Sequence, residues 1–227
     1  MPGAAGIPSA TIRLLGVSKS FRGGGVPTLV LRPTTVDLPA DRRVAVLGSR
    51  RSGKSTLLDL LFGTVAPDRG RVCAPFPFSP VVNAGGFLHP QMTALENIRT
   101  IARMLGLDAE PLMLSVAALA GEGVHWQDPL RAHGAAHRKA LEAAIATVLP
   151  FGCCLLDDVG QLPAALLARC IAAAGERGAG MIFTTANPGL ARQMGEVVLV
   201  IADATLHPFG RADKAVRFFQ RQDGQPA

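Results

Sequence analysis

A chain of 227 residues is long enough for one sizeable core and too short for two ordinary domains. With 48% hydrophobic and 18% charged residues it favours large buried or partner-covered surfaces, yet no run reaches the roughly 18 apolar residues of a membrane span. The net charge of +6 comes from arginines spread along the chain, without the basic run or aromatic interleaving of a nucleic-acid binder, so no nucleic-acid partner is expected.

In chain order, residues 1–10 are rich in Gly, Pro and Ala and read as a flexible tail. They lack a charged start followed by an apolar core, so they are not a secretion signal, and a cytoplasmic home is expected. One domain spans 11–220. The runs Thr11–Leu15, Thr28–Leu31 and Arg43–Leu47 read as strands, and Lys54–Phe62 reads as a helix. From about 92 to 150 no convincing strand occurs, and helices over Ala94–Met104 and Ala135–Val148 make this a helical insertion. Cys153–Leu156 (strand), Ala164–Glu176 (helix), Met181–Thr185 and Val197–Ile201 (strands) and Ala212–Arg221 (helix) complete the pattern, and 221–227 is a second tail. The alternation predicts an α/β fold with a parallel sheet. The four cysteines, Cys73, Cys153, Cys154 and Cys170, lack metal-ligand spacing and read as buried thiols.

The strongest motif is Gly48-Ser49-Arg50-Arg51-Ser52-Gly53-Lys54-Ser55-Thr56, which fits G-x-x-x-x-G-K-[ST] between an apolar strand and a helix. Its residue types suit a phosphate chain. Glycines let the backbone wrap closely, N–H groups and the helix N-terminus supply positive dipole, Lys54 reaches the outer phosphates, and Ser55 can ligate Mg2+. In such P-loop proteins a second strand ends in an Asp that holds Mg2+, and Cys153-Cys-Leu-Leu-Asp157 fits that role. Asp158, next to it, stands where a base polarises the attacking water.

The order of phosphate loop, Leu61-Phe-Gly-Thr-Val-Ala-Pro67-Asp-Arg-Gly70 and acid-tipped strand resembles the ATP-binding subunit of ABC transporters, a P-loop nucleoside triphosphatase with a mixed, largely parallel sheet and a helical subdomain. The segment from Gly85-Gly-Phe-Leu-His-Pro-Gln through Glu96-Asn97 to Gly106 is similar to the subgroup that exports capsular polysaccharides and other cell-surface glycans. Val17-Ser-Lys-Ser-Phe21 and Ala212-Asp-Lys-Ala-Val-Arg-Phe-Phe219 fit that subgroup too. The resemblance implies ATP and Mg2+ as ligands, a homodimer or heterodimer, a membrane-embedded permease as partner, and a peripheral place on the cytoplasmic face of the inner membrane. It gives Phe21 the place of the aromatic that stacks on adenine, against a plain core role. It puts His89 or Gln91 in the loop that touches the metal or attacking water, and Glu96 and Asn97 at a helix start.

The departures from that pattern are specific. The Ser-Gly-rich signature is expected at Arg131-Ala-His-Gly134-Ala-Ala-His137-Arg-Lys139, where only Gly134 matches. His133 and His137 there read as solvated helix residues rather than a metal pair. Ala186, beside Asn187, occupies the place of a phosphate-contacting His. The family usually has Glu where Asp158 stands; one methylene less leaves the carboxylate roughly 1.3–1.5 Å short, and a misplacement of about 1 Å costs on the order of a hundredfold in rate. Slow or partner-dependent hydrolysis is therefore expected. A hydrolysis-impaired ATP-bound regulatory subunit is the alternative, and a P-loop kinase is the other class, against which the 85–106 segment argues.

Overall fold

A computed structural model describes residues 10–22, 27–83, 86–121 and 124–222; most of both expected tails lies outside the described residues. In chain order the elements are β1 (Thr11–Phe21), β2 (Thr28–Pro39), β3 (Arg43–Leu47), α1 (Lys54–Phe62), β4 (Arg69–Cys73), α2 (Ala94–Leu105), α3 (Ala109–Ala120), α4 (Ala135–Val148), β5 (Cys153–Leu156), α5 (Ala164–Glu176), β6 (Gly180–Thr185), α6 (Pro188–Met194), β7 (Val197–Ala202), β8 (Thr205–Phe209) and α7 (Ala212–Gln222).

The short, continuously apolar strands pack at the centre because a strand covered on both faces has no use for alternation. They form a five-stranded sheet ordered β5-β6-β3-β7-β8. The first four strands are parallel, with Val44 opposite Ile182 on one side and Val197 on the other, and β8 closes the edge antiparallel. Helix α1 buries Leu57, Leu58 and Leu61 against one face, with Ile12, Leu14 and Leu38 beyond them. Helices α5 and α7 cover the other face, with Leu167 and Phe219 packed near Phe183. Residues 94–148 carry α2, α3 and α4 around their own cluster of Ile98, Val116, Leu130, Leu141 and Ile145. No helix among the described residues is long and apolar enough to cross a membrane.

Strands Arg43–Leu47 and Cys153–Leu156 and helices α1, α4 and α5 occupy the spans the sequence indicates. The runs at Thr11 and Thr28 differ from expectation. They extend into β1 and β2 and belong to a separate antiparallel sheet ordered β2-β1-β4, not to the parallel layer. Four elements are additional, and each lacks a strong signal. β4 is a polar, largely exposed edge strand containing Gly70. β8 is an edge strand containing Pro208, entered through the positive-φ pair Asp203 and Ala204. α3 begins at the cap Asp108 but is apolar almost all round. α6 is only 7 residues long, capped by Asn187 and opened by Pro188.

Phe183 lies fully buried on β6 between both sheet neighbours. Phe183→Ala is expected to remove about 3–5 kcal/mol of stability. Urea unfolding reads this as a lower midpoint at unchanged slope.

Candidate nucleotide and metal site

Strand β3 delivers Gly48, whose N–H donates to the carbonyl of Thr185 on β6 (3.3 Å), and the chain then turns through 49–52 into α1. The glycines are required by contact as well as by conformation. A Cβ on Gly48 would stand 2.4 Å from Ser52 Oγ, and Gly53, at φ +100, would press one to 2.6 Å from Val30 Cγ1 on β2. Gly53 caps α1 without a side-chain hydrogen bond, and the N-terminus of that helix is the end that attracts an anion. Lys54 Nζ folds back over the loop and donates to the carbonyls of Gly48 (2.7 Å) and Ser49 (2.6 Å). Ser52 Oγ is enclosed without a hydrogen-bond partner among the described residues. Beside the loop, Thr28, Leu29, Arg50, Arg51 and Asp203 help to line a cavity of about 300 Å³.

The acid pair follows β5. Ser55 Oγ donates to Asp157 Oδ2 at 2.7 Å, Thr184 Oγ1 on β6 donates to Asp157 Oδ1 at 2.5 Å, and Asp158 N–H donates to the same Thr184 hydroxyl at 2.8 Å. Two neighbouring oxygens of an Mg2+ octahedron sit about 2.9 Å apart. The hard-oxygen pair Ser55 and Asp157, beside the N-terminus of α1 and the Ser52 hydroxyl, therefore fits Mg2+ and a phosphate chain. The two acids face different ways. Asp158 adopts a left-handed backbone (φ 49, ψ 65), its carboxylate accepts from Gln161 Nε2 at 2.5 Å, and its carbonyl accepts from Lys139 Nζ at 3.0 Å.

The other candidates are distributed around this centre. Phe21 sits at the turn end of the β1–β2 hairpin opposite Thr28, with its ring exposed and Lys19 Nζ 5.2 Å from the centroid. Lys19 also pairs with Asp68, which Ser20 and Lys19 hold down at about 2. His89 and Gln91 are not brought to the acids. The His89 backbone is pinned by Asn97, and Gln91 Oε1 accepts from Arg131. Glu96 completes a capping box with Thr93, as its helix-start reading expected. His133 precedes α4 and only His137 lies on it, so they do not share a helix face; among the described residues no cluster of three or more potential metal ligands occurs. Asn187 spends its carboxamide oxygen on Gly189 and Leu190 N–H. Burial pushes the Cys154 thiol up to about 11 and Cys153 higher still, so both stay protonated and inert.

Three residues here escape sequence reading: Thr184, Lys139 and Glu142. Thr184 is one of two threonines that end an otherwise apolar strand. Lys139 and Glu142 are charged yet almost fully buried on α4, a placement that helical periodicity alone does not reveal. Burial lowers the Lys139 ammonium, opposed by the facing Asp158, Asp157 and Glu142. Burial raises the Glu142 carboxyl to about 7, against the lowering effect of hydrogen bonds from Phe87 and Leu88 N–H and of the charges on Arg138 and Lys139.

No protein-family model matches the sequence. It is 22% identical over 211 residues to the ATP-binding protein BexA of Haemophilus influenzae, covering 92% of this chain and 97% of that protein. It is 27% identical to the polysialic acid transport ATP-binding protein KpsT of Escherichia coli, over 65% of this chain and 67% of that one. The lipoprotein-releasing system ATP-binding protein LolD of Hydrogenovibrio crunogenus is 30% identical over 63% of this chain and 70% of its own length. The chain belongs to the ATP-binding subunits of ABC transporters. Its fold agrees with the dimeric structure of MJ0796, a bacterial ABC transporter cassette, at a TM-score of 0.73 and 19% identity over 86% of this chain and 96% of that one.

For this ABC subunit the raised Glu142 carboxyl has a calculable effect on stability. The unfolded chain ionises near 4.5 and the folded one near 7, so the folded state holds the extra proton between them and stability declines as pH rises through that window. Glu142→Gln has no such decline. The gap in unfolding free energy between variant and wild type is expected to move by about 3 kcal/mol in favour of Gln from pH 4.5 to 7 and then level off. Urea titrations across this range check it, and a constant gap contradicts it.

Proposed function

We propose that this chain powers an exporter of capsular or other cell-surface polysaccharide, binding and hydrolysing Mg-ATP as one of two ATP-binding subunits under a membrane-embedded permease. Its place would be peripheral, on the cytoplasmic face of the inner membrane. The observation that carries the nucleotide chemistry is the 2.7 Å contact between Ser55 and Asp157, at the mouth of a glycine loop whose lysine is already folded inward. The glycan rests on the segment ending at Gly106 and on the similarity to KpsT, whose name gives polysialic acid transport.

In this proposal the loop of Gly48, Ser49, Arg50, Arg51, Ser52, Gly53, Lys54, Ser55 and Thr56 wraps the phosphate chain, with backbone N–H groups other than those of Gly48 and Ser52, which donate to the Thr185 and Ser49 carbonyls, turned toward it. Lys54 Nζ exchanges two neutral carbonyls for phosphate oxygens, so its already charge-assisted hydrogen bonds gain an opposite charge. Ser55 and Asp157 hold Mg2+, which when bound neutralises charge on the phosphate oxygens. Phe21 offers one ring face to adenine, while Lys19 stands over the ring. The partner subunit's segment around Gly134 closes the other side of each ATP.

Asp158 takes the proton of the attacking water, with His89 or Gln91 approaching when the site closes. Its carboxylate must first release Gln161, and it is one methylene shorter than the usual glutamate. Slow turnover follows, with transition-state charge stabilised by Lys54 and the loop N–H groups. The purified chain should bind Mg-ATP and turn it over slowly. Lys54→Ala should weaken binding at least about tenfold, in keeping with the loss of a charge-assisted bond. Asp158→Asn should bind as wild type but lose turnover by about a hundredfold or more, as loss of a general base does. Turnover that survives Asp158→Asn would remove that residue from its role, and binding without turnover even with the membrane partner would establish a regulatory subunit instead.

A further inference from the structure

Two buried charges on one helix grip two separate parts of the site. Lys139 and Glu142 lie one turn apart on α4 and are 8% and 4% exposed. A buried charge is expensive unless the surroundings meet it with partners. Lys139 meets the carbonyl of Asp158 (3.0 Å), the residue held in the left-handed conformation, with the Asp157 and Asp158 charges facing it. Glu142 reaches the other way. Its carboxylate accepts the N–H groups of Phe87 and Leu88, and it lies so close to Gly86 that a Cβ there would stand 2.3 Å from Glu142 Oε1. Gly86 sits at φ +67, and its N–H is fixed by Asn83 Oδ1. The backbone at 86–88 is thus wrapped around this one carboxylate, and His89 and Gln91 follow directly.

These grips are stiff because their alternatives are poor. Without Lys139, the Asp158 carbonyl loses its donor and the strained φ of 49 loses a restraint. Without Glu142, two inward-facing N–H groups lose their acceptor. Between the two grips lies a cavity of about 410 Å³, lined in part by Asn83, Leu88, Arg138 and Gln161. The two segments are tied to each other further back, where Asp157 N–H donates to the Val82 carbonyl (2.9 Å), and across the cavity α4 makes the second connection.

We propose that Lys139 and Glu142 are positioning residues of the ATPase site. Through them α4 sets, together, the peptide that aims Asp158 and the backbone that carries His89 and Gln91. Because α4 begins at Gly134, in the segment proposed to face the partner's ATP, closure of the dimer is felt at both places by one rigid helix. This rests on the proposed ATPase reading.

The test uses the full chain with Lys139→Met and Glu142→Met, each of which keeps side-chain length and removes the polar group that makes the grip, singly and together. Mg-ATP affinity should stay within about twofold of wild type, while kcat falls about tenfold or more in each single variant, as a misplacement near 1 Å allows. The double variant should fall less than the product of the two, because both act on one geometry. Wild-type kcat in both singles, or a loss shared equally by affinity and kcat, would overturn the proposal. Amide hydrogen exchange on the ATP-bound chain gives a reading that needs no turnover. Lys139→Met should speed exchange at 157–161 and Glu142→Met at 86–91, with β3 and β7 unchanged. If the wild type does not hydrolyse ATP, the ATPase reading fails while these local changes still uphold the positioning. Unchanged exchange in both variants overturns the positioning itself.

Discussion

Ser55 reaches Asp157 only because β3 and β5 lie parallel on either side of β6, ending at the same edge of the sheet. Parallel strands place all their C-terminal ends together, and that edge is where an open α/β sheet presents its binding crevice. The phosphate loop leaves β3, the acids leave β5, and Thr184 at the end of β6 lies between and bonds both acids. A slip of one residue in either pairing would turn Thr184 to the other face of the sheet and break the bridge. The site is therefore a consequence of strand register, with the buried Val, Ile and Phe of the central strands fixing that register.

Sequence reading recovered the parts in which local chemistry and global fold agree. The loop Gly48–Thr56 carries its own geometry in its glycines, and β3, α1 and β5 are short, strongly patterned elements whose boundaries hold. Asp157 was legible because an acid ending an apolar strand has few other uses once a phosphate loop is present. What was hidden depends on contacts distant in sequence. Thr184 lies 27 residues from Asp157, and Lys139 lies 19 from Asp158. β4 and β8 are short edge strands, β4 largely exposed and β8 interrupted by Pro208, and neither shows a strong apolar pattern. His89 and Gln91 read as site members from the sequence, whereas in the structure their partners are Asn97 and Arg131.

Electrostatics divides the molecule's charges into two classes. Surface pairs such as Arg13 with Asp37 (3.8 Å) are solvated and contribute little. The consequential charges are Lys54, Asp157, Lys139 and Glu142, each held by backbone groups or hydroxyls. A loop lysine satisfied by carbonyls and an aspartate satisfied by hydroxyls describe a site arranged to exchange neutral partners for charged ones. That exchange gives the nucleotide its leverage on the protein, since only differential contacts can shift a conformational equilibrium.

The most direct measurement is a crystal structure of the chain with Mg2+ and a non-hydrolysable ATP analogue. The predicted result is Lys54 Nζ moved from the Gly48 and Ser49 carbonyls onto phosphate oxygens, with Ser55 Oγ and the Asp157 carboxylate on the metal side of the phosphates. A nucleotide bound elsewhere, with Lys54 still on those two carbonyls, would contradict the claim that this sheet edge is the nucleotide site.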